Sequence, residues 1–174
     1  PNLKVKGLSG EYLEQVSEAY RISKRRKIIL FLGSSIGNFE LHEAHNFLRN
    51  LYNEIQPGDE VLMGFDLKKN PHQILKAYND SEGITRDFNL NLLDRINSEL
   101  NADFNTSEFE HFPIYNPLTG ACRSFLISQK EQDITFGNGT VIHFKAFEAI
   151  DMELSQKFSL EDIDTIALRI GFQK

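Results

Sequence analysis

The sequence predicts an α/β protein, and three observations support this class. Residues 27–32 and 61–65 are short, continuous apolar runs, which are typical of strands buried on both faces of a parallel sheet. Between them, apolar residues recur at helical spacing from Leu41 to Ile55. Strand, helix and strand in this order form a right-handed βαβ unit. The second half of the chain has closely spaced strand patterns, which predict antiparallel hairpins.

Local signals place the other elements of the first hundred residues. Residues 3–8 predict a weaker strand, and residues 12–22 predict a helix. A helix over residues 71–78 begins with proline and has Asn70 as its N-cap. Another helix is predicted with Thr85 as its cap. Its inner face is expected to contain Phe88, Leu92, Leu93, Ile96 and Leu100.

Strands and one last helix fill the rest of the chain. Strands are predicted over residues 124–128, 133–136, 140–144 and 149–155, with a helix over residues 160–170. In the strand at 149–155 we expect Ile150, Met152 and Leu154 on one face and Asp151, Glu153 and Ser155 on the other. The polar row is either the wet side of a sheet or a small hydrogen-bonding wall, and the pattern alone leaves both open.

Charge and cysteine content limit the function. The formal net charge is −6 and the pI is about 5.4, so we expect neither nucleic acid nor an anionic membrane as a partner. Cys122 is the single cysteine, which excludes a disulfide framework and indicates the cytoplasm. His42 and His45 are three residues apart rather than the four of a zinc helix, so no metal is expected. No apolar stretch reaches about 18 residues.

A small polar loop, Gly33–Asn38, follows the first apolar run. Ligands of open α/β sheets bind outside the carboxyl ends of strands, and glycine lets the backbone approach a ligand closely. The alternative is that Asn38 only caps a helix starting at Phe39. By the same reasoning Asp66, at the end of the next apolar run, is expected to face the same crevice.

Five segments, taken in order, resemble the histidine-specific N-alpha-methyltransferase family of ergothioneine biosynthesis. They are FLGSSIGNF, PGDEVLMGFDLKKN, AYNDSEGITRDFNLNLLDRIN, FEHFPIYN and AIDMELSQKF. The resemblance implies an enzyme that uses S-adenosylmethionine to methylate the α-amino group of L-histidine, a small-molecule substrate. It also implies a partial Rossmann-like class I methyltransferase sheet over residues 1–68 and 156–174, which binds the cofactor, and an α+β substrate-binding insertion over residues 69–155.

The resemblance also implies roles for single residues of the substrate site. Gly33 and Asn38 would contact the amino-acid end of histidine, and Asn38 would share its carboxylate with Tyr78. Glu153 and Ser155 would hold the imidazole ring. No catalytic base is assigned, because methyl transfer to an amine depends chiefly on the alignment of the reacting atoms.

For the cofactor, the resemblance assigns Gly10, Glu11 and Tyr12 to a contact with the adenine, with Glu11 in place of the family's usual aspartate. The glycine-rich cofactor loop and the ribose-binding acid of the family are not found in the sequence. We therefore expect a middle piece of a longer protein that is inactive alone. Two alternatives remain open: an N-methyltransferase for another aromatic amino acid or derivative, and a non-catalytic amino-acid-binding domain.

Overall fold

The computed structural model describes residues 3–173. The chain divides into two compact units, one comprising residues up to 66 and from 158 onward, the other residues 67–157. The elements are α1 (Tyr12–Ile22), β1 (Ile28–Phe31), α2 (Leu41–Glu54), β2 (Glu60–Met63), α3 (Pro71–Tyr78), α4 (Ile84–Leu100), β3 (Phe109–Tyr115), β4 (Ala121–Ser128), β5 (Gln132–Thr135), β6 (Val141–Phe144), β7 (Ala149–Gln156) and α5 (Leu160–Ile170). The mixed α/β class is confirmed. The assignment of residues 1–68 and 156–174 to the cofactor and of 69–155 to the substrate stays a prediction.

The first unit is built on a two-stranded parallel sheet. β1 pairs with β2 from Ile28 opposite Glu60 to Phe31 opposite Met63, and α2 connects the strands. The predicted βαβ order is therefore confirmed. The core of this unit combines a 3-10 turn, α2, α5 and the residue Phe158 that precedes α5; its buried residues are Ile36, Ala44, Leu48 and Phe158.

Two predictions for the strands of this unit are wrong. Only one face of the sheet is covered: Phe31 and Met63 pack against the core, whereas Ile28 and Leu62 are 62% and 58% exposed. Side chains of α2 and α5 cover one face of the strands, and an apolar run does not reveal whether one face or both are covered. Residues 3–8 are irregular rather than a strand, and they have no strand partner within the described chain.

The N-terminus of α2 also differs from the prediction. Asn38 ends a 3-10 turn, and α2 begins only at Leu41, after Glu40. The carboxylate of Glu43 accepts a hydrogen bond of 2.9 Å from the backbone N–H of Glu40, which forms a capping box. The alternative in which Asn38 caps a helix starting at Phe39 is therefore wrong.

The second unit contains α3, α4 and the antiparallel strands. β3, β4 and β7 form a three-stranded sheet in that order, and β5 pairs with β6 as a hairpin. The predicted antiparallel hairpins are thus confirmed. Both helices contact β3 and β4. The buried core consists of Leu93, Phe104, Phe109, Leu126, Ile134 and Phe144.

Asn70 caps α3 as predicted, because its Oδ1 accepts from the N–H of His72 at 2.9 Å. The predicted start and inner face of α4 are wrong in part. The carboxylate of Asp80 accepts from the N–H groups of Ile84 and Thr85, so Asp80 rather than Thr85 caps this helix.

On α4 itself, Leu93 and Ile96 face the core as expected, but the adjacent inward position is Asn89. Phe88, Leu92 and Leu100 are exposed. The helix turns this way because the amide of Asn89 is buried against His111 of β3, a polar contact that an apolar pattern does not predict.

A β-bulge in β7 decides which side chains share a face. Ser124 of β4 lies opposite Glu153, but the next residue, Phe125, lies opposite Asp151, so Met152 is the extra residue. Directly opposed residues of an antiparallel pair share a face. Glu153 and Ser155 therefore lie on the face of the buried β4 residues Cys122 and Ser124.

Asp151 lies on the other face, where its carboxylate forms an ion pair with Arg123. The predicted row of Asp151, Glu153 and Ser155 on one face is therefore wrong, because a single extra residue reverses the alternation. Glu153 and Ser155 are half-buried and do not lie on the wet side of the sheet.

Candidate functional site

The predicted site residues fall in both units, and each group is described within its own unit. In the first unit the Gly33–Asn38 loop follows the end of β1. Gly33 and Ser34 both adopt left-handed backbone conformations, with φ of +77° and +57°. Such a conformation is uncommon for serine, and backbone outliers of this kind cluster at ligand-binding loops.

The middle of this loop anchors it to the unit. Ile36 and Gly37 are buried, and the N–H of Gly37 donates to the carbonyl of Ser34 at 2.8 Å. Gly33 and Asn38, at the two ends, are exposed. Apart from its two chain neighbours, a Cβ on Gly33 would have no atom nearer than the Ser35 hydroxyl at 3.9 Å, so the backbone there is open to a ligand.

The end of β2 lies beside the same loop. A Cβ on Gly64 would be 3.7 Å from the backbone nitrogen of Gly33, an ordinary van der Waals distance, so Gly64 directly adjoins the loop. Asp66 follows two residues later and is half-buried, and its carbonyl accepts from the N–H of Phe158 at 3.0 Å. That its carboxylate faces a ligand stays a prediction.

The predicted cofactor segment lies at the same end of β1. Glu11 is the N-cap residue of α1, and the ring of Tyr12 packs edge-on against Phe31 with 6.0 Å between ring centroids. Phe31 is two residues before Gly33. Tyr12 is 67% exposed and Glu11 is exposed. An exposed ring and an exposed carboxylate can stack on an adenine and accept its amino hydrogens, so the residues present fit that part of S-adenosylmethionine.

In the second unit a buried lysine connects two of the predicted substrate ligands. Lys157 follows β7 and is 1% exposed. Its Nζ donates to the hydroxyl of Tyr78, the last residue of α3, and to the hydroxyl of Ser155, each at 2.7 Å. The same nitrogen lies 4.9 Å from the centroid of the Tyr78 ring. The structure thus brings Tyr78 and Ser155 to one cation.

The turn before β4 holds Lys157 in place. The backbone N–H of Lys157 donates to the carbonyl of Gly120 at 2.8 Å, and the Gln156 amide donates to the carbonyl of Thr119 at 2.7 Å. Gly120 has a φ of +82°, and a Cβ there would collide with the carbonyl oxygen of Lys157. Glycine is therefore required at position 120 for both its backbone angle and its size.

Glu153 faces a buried hydroxyl. Ser124, directly opposite on β4, is 1% exposed, and its Oγ has no hydrogen-bond partner within the described chain. Buried hydroxyls are almost always paired, so this exception needs an explanation. A polar group of a ligand bound beside Glu153 would supply the missing partner.

His111 lies one row further along the same face, opposite Leu126. The amide nitrogen of Asn89 is 3.4 Å from its Nε2 and also donates to the carbonyl of Thr85. An amide nitrogen only donates, so Nε2 accepts and the ring is neutral. Burial lowers the pKa of His111, and Arg86 lowers it further, whereas Asp80 opposes the shift.

At the end of α3, hydrogen bonds from the side chain and N–H of Thr85 and from the N–H of Ile84 lower the pKa of Asp80 to about 2.

In residues 3–173 no cluster of His, Cys, Asp and Glu side chains is arranged to hold a metal ion. None of the described helices is long and apolar enough to cross a membrane.

Sequence reasoning missed Lys157 and Ser124. Lys157 is part of the segment that carries the family resemblance, but a lysine after a strand is normally solvated, and nothing in the pattern indicates burial. Ser124 faces Glu153 through a strand register between distant segments of the chain. No local sequence signal marks Ser124 as buried, because the alternating burial of β4 is visible only in the structure.

Comparisons with known proteins identify one methyltransferase family over the whole chain. The model of a family described as SAM-dependent, histidine-specific methyltransferase matches residues 1–174. A histidine N-alpha-methyltransferase of Mycolicibacterium smegmatis is 32% identical over 164 residues, which are 94% of this chain and 50% of the relative. Ergothioneine biosynthesis protein 1 of Schizosaccharomyces pombe is 31% identical over 177 residues, 99% of this chain and 23% of the relative.

One further relative is named for a different substrate. An L-tryptophan methyltransferase of Psilocybe serbica is 29% identical over 150 residues, 84% of this chain and 41% of the relative. The chain spans half the length, or less, of these curated relatives.

Proposed function

This chain belongs to the family of SAM-dependent, histidine-specific methyltransferases, and we propose that its protein methylates the α-amino group of L-histidine. The observation that carries this proposal lies in the second unit, where the buried Lys157 binds the hydroxyls of Tyr78 and Ser155, and Glu153 lies on the same face of β7 as Ser155. Names from ergothioneine biosynthesis among the relatives support the same substrate and pathway. The cytoplasm, expected from the single cysteine, is the proposed location.

The side chain of the substrate is proposed to bind at Glu153 and Ser155. A neutral imidazole has one N–H and one unprotonated nitrogen. The Glu153 carboxylate only accepts, so it suits the N–H, and the hydroxyl of Ser155 can donate to the other nitrogen. Both side chains are half-buried on the covered face of the sheet, where hydrogen bonds are stronger than in open solvent.

The carboxylate of the substrate is proposed to bind Tyr78, and the same role is proposed separately for Asn38. Tyr78 offers a hydroxyl, and Asn38 offers an exposed amide. The backbone at Gly33, which is open to a ligand, is assigned to the amino-acid end of the substrate. These contacts would orient the amino nitrogen toward the methyl group that it attacks. Alignment of reacting atoms lowers the barrier of such a displacement by about 7–11 kcal/mol.

For the cofactor we propose that Gly10, Glu11 and Tyr12 contact the adenine. S-adenosylmethionine supplies the methyl group as an electrophilic sulfonium. The strands β1 and β2 would then belong to a Rossmann-like class I methyltransferase sheet, for which their parallel pairing is the support. No residue of this chain is assigned as a catalytic base.

Tryptophan is the second candidate substrate, because one relative is named an L-tryptophan methyltransferase. An indole carries one N–H and no acceptor nitrogen, so it would leave the hydrogen of the Ser155 hydroxyl without an acceptor. A site with buried polar groups rejects such an analogue by up to about 10⁴-fold.

The deciding experiment incubates the full-length protein with S-adenosylmethionine and either L-histidine or L-tryptophan, and follows the products by mass spectrometry. We expect N-methylated histidine, with kcat/KM at least about 100-fold above that for tryptophan. Equal or faster methylation of tryptophan would contradict the proposal. Binding of L-histidine without methyl transfer to either amino acid would instead indicate a non-catalytic binding domain.

A further inference from the structure

The ammonium group of Lys157 contacts two hydroxyls, and because it can only donate, it determines the direction of both hydrogen bonds. An ammonium has three donors and no acceptor. The Tyr78 and Ser155 oxygens, each 2.7 Å from Nζ, must therefore accept from it. Each hydroxyl then directs its own hydrogen away from Lys157. In the described part of the chain both hydroxyls form side-chain hydrogen bonds only as acceptors.

We propose that Lys157 is a positioning residue that makes hydrogen-bond donors of the Tyr78 and Ser155 hydroxyls toward the substrate. The inference rests on the proposed function and extends it to a residue without an assigned role. A donor at Tyr78 suits a carboxylate oxygen, and a donor at Ser155 suits an unprotonated ring nitrogen. Glu153 remains the acceptor for the ring N–H.

The surroundings of Lys157 support a fixed rather than a swinging ammonium. The side chain is buried, its backbone N–H is bound to the carbonyl of Gly120, and its carbonyl accepts from the Gln156 amide at 2.9 Å. The nitrogen also lies over the Tyr78 ring, in cation–π geometry at 4.9 Å from the ring centroid. A rotatable hydroxyl on its own can either donate or accept a hydrogen bond. Because Lys157 already donates to both hydroxyls, they are left to donate, and the site favours ligands with hydrogen-bond acceptors.

The test uses the full-length protein with Lys157→Met, which removes the donor, and Lys157→Gln, which keeps a polar side chain without the charge. Lys145→Met is the matched control, because Lys145 is exposed in the same unit and binds Glu148 through its backbone N–H and carbonyl. KM is measured separately for L-histidine and for S-adenosylmethionine. Thermal unfolding shows which Lys157 variant folds, and that variant is assayed.

We expect KM for L-histidine to rise about 10- to 100-fold for Lys157→Met and at least about fivefold for Lys157→Gln. KM for S-adenosylmethionine should change less than about threefold, and Lys145→Met should leave both constants unchanged. A Lys157 variant with unchanged KM for L-histidine, or with equal increases for both ligands, would overturn the inference.

A double variant distinguishes positioning from an independent contact. If Lys157 acts through Ser155, adding Ser155→Ala to the Lys157 variant should raise KM for L-histidine by less than about threefold more. Full multiplication of the two single effects would contradict the inference. The unsubstituted protein is assayed first: if it does not methylate histidine, the proposed function fails, whereas histidine methylation with unaffected Lys157 variants refutes only the role of Lys157.

Discussion

Ser124 lies directly opposite Glu153 where β4 pairs with β7, and its buried hydroxyl has no hydrogen-bond partner among the residues described. A buried hydroxyl without a partner costs about 1–3 kcal/mol. On this face of β4, Ser124 lies between the buried Leu126 and Cys122, and its polar neighbours are Glu153 and Ser155 of β7. The Ser124 hydroxyl is therefore better arranged for binding a ligand than for stability.

Replacement of Ser124 by alanine should not destabilise the protein. Since the hydroxyl has no partner to lose, we expect the free energy of unfolding of Ser124→Ala to stay equal or rise by about 1 kcal/mol in urea titrations.

The matched control is Ser128→Ala, on the same strand and face. Ser128 donates to the carbonyl of Lys130 at 2.8 Å and accepts from Gln132 at 2.7 Å, so its loss should cost about 1–3 kcal/mol. Similar losses for both variants would mean that the Ser124 hydroxyl has a partner after all.

Substitutions at Asn38 and Glu43 should show that substrate binding and capping of α2 depend on different side chains. Because Asn38 is exposed and does not cap α2, Asn38→Ala should change the free energy of unfolding by less than about 0.5 kcal/mol. Its KM for L-histidine should rise about tenfold if the amide binds the carboxylate.

Glu43→Ala should do the reverse, because it removes the capping box. We expect it to cost about 0.5–2 kcal/mol of stability with KM for L-histidine unchanged. An unchanged KM in Asn38→Ala would exclude Asn38 from the substrate site.

The neutral His111 should make stability fall in mild acid. Its pKa in the folded protein is lowered by burial and by Arg86, so the unfolded chain binds a proton more readily. The stability from the neutral ring is therefore present above the unfolded pKa of about 6.5 and is lost as the pH falls below it toward the folded pKa.

Urea unfolding from pH 8 to pH 5 measures this effect. The parent protein should lose stability over that range more steeply than His111→Gln, which cannot titrate there. Parallel curves for the two proteins would show that His111 does not titrate differently on folding.

Elements with strong local signals were predictable from the sequence. The bounds of α1 and α5 match the predicted residues 12–22 and 160–170, and Asn70 caps α3 as expected. These signals act within a few residues of the chain. The start of α4 was missed because Asp80 caps it from four residues upstream of Ile84.

The candidate site was less accessible to sequence reasoning. The bulge at Met152 is a tertiary feature that moves Asp151 to the opposite face from Glu153, and strict alternation cannot indicate it. The buried position of Lys157 includes a contact with Tyr78 of α3, which is 79 residues away in the sequence. The roles of Gly33, Asn38, Tyr78, Glu153 and Ser155 in binding a substrate stay predictions.

The most direct test of the histidine site compares Glu153→Gln with Asp151→Asn in the full-length protein. The two carboxylates are two residues apart on β7, but the bulge places them on opposite faces. For each variant, kcat/KM is measured for L-histidine and L-tryptophan. We predict that Glu153→Gln lowers kcat/KM for L-histidine about 10- to 100-fold and narrows its ratio to tryptophan, whereas Asp151→Asn changes neither by more than about threefold. An unchanged preference for histidine in Glu153→Gln, or equal losses in both variants, would contradict the account.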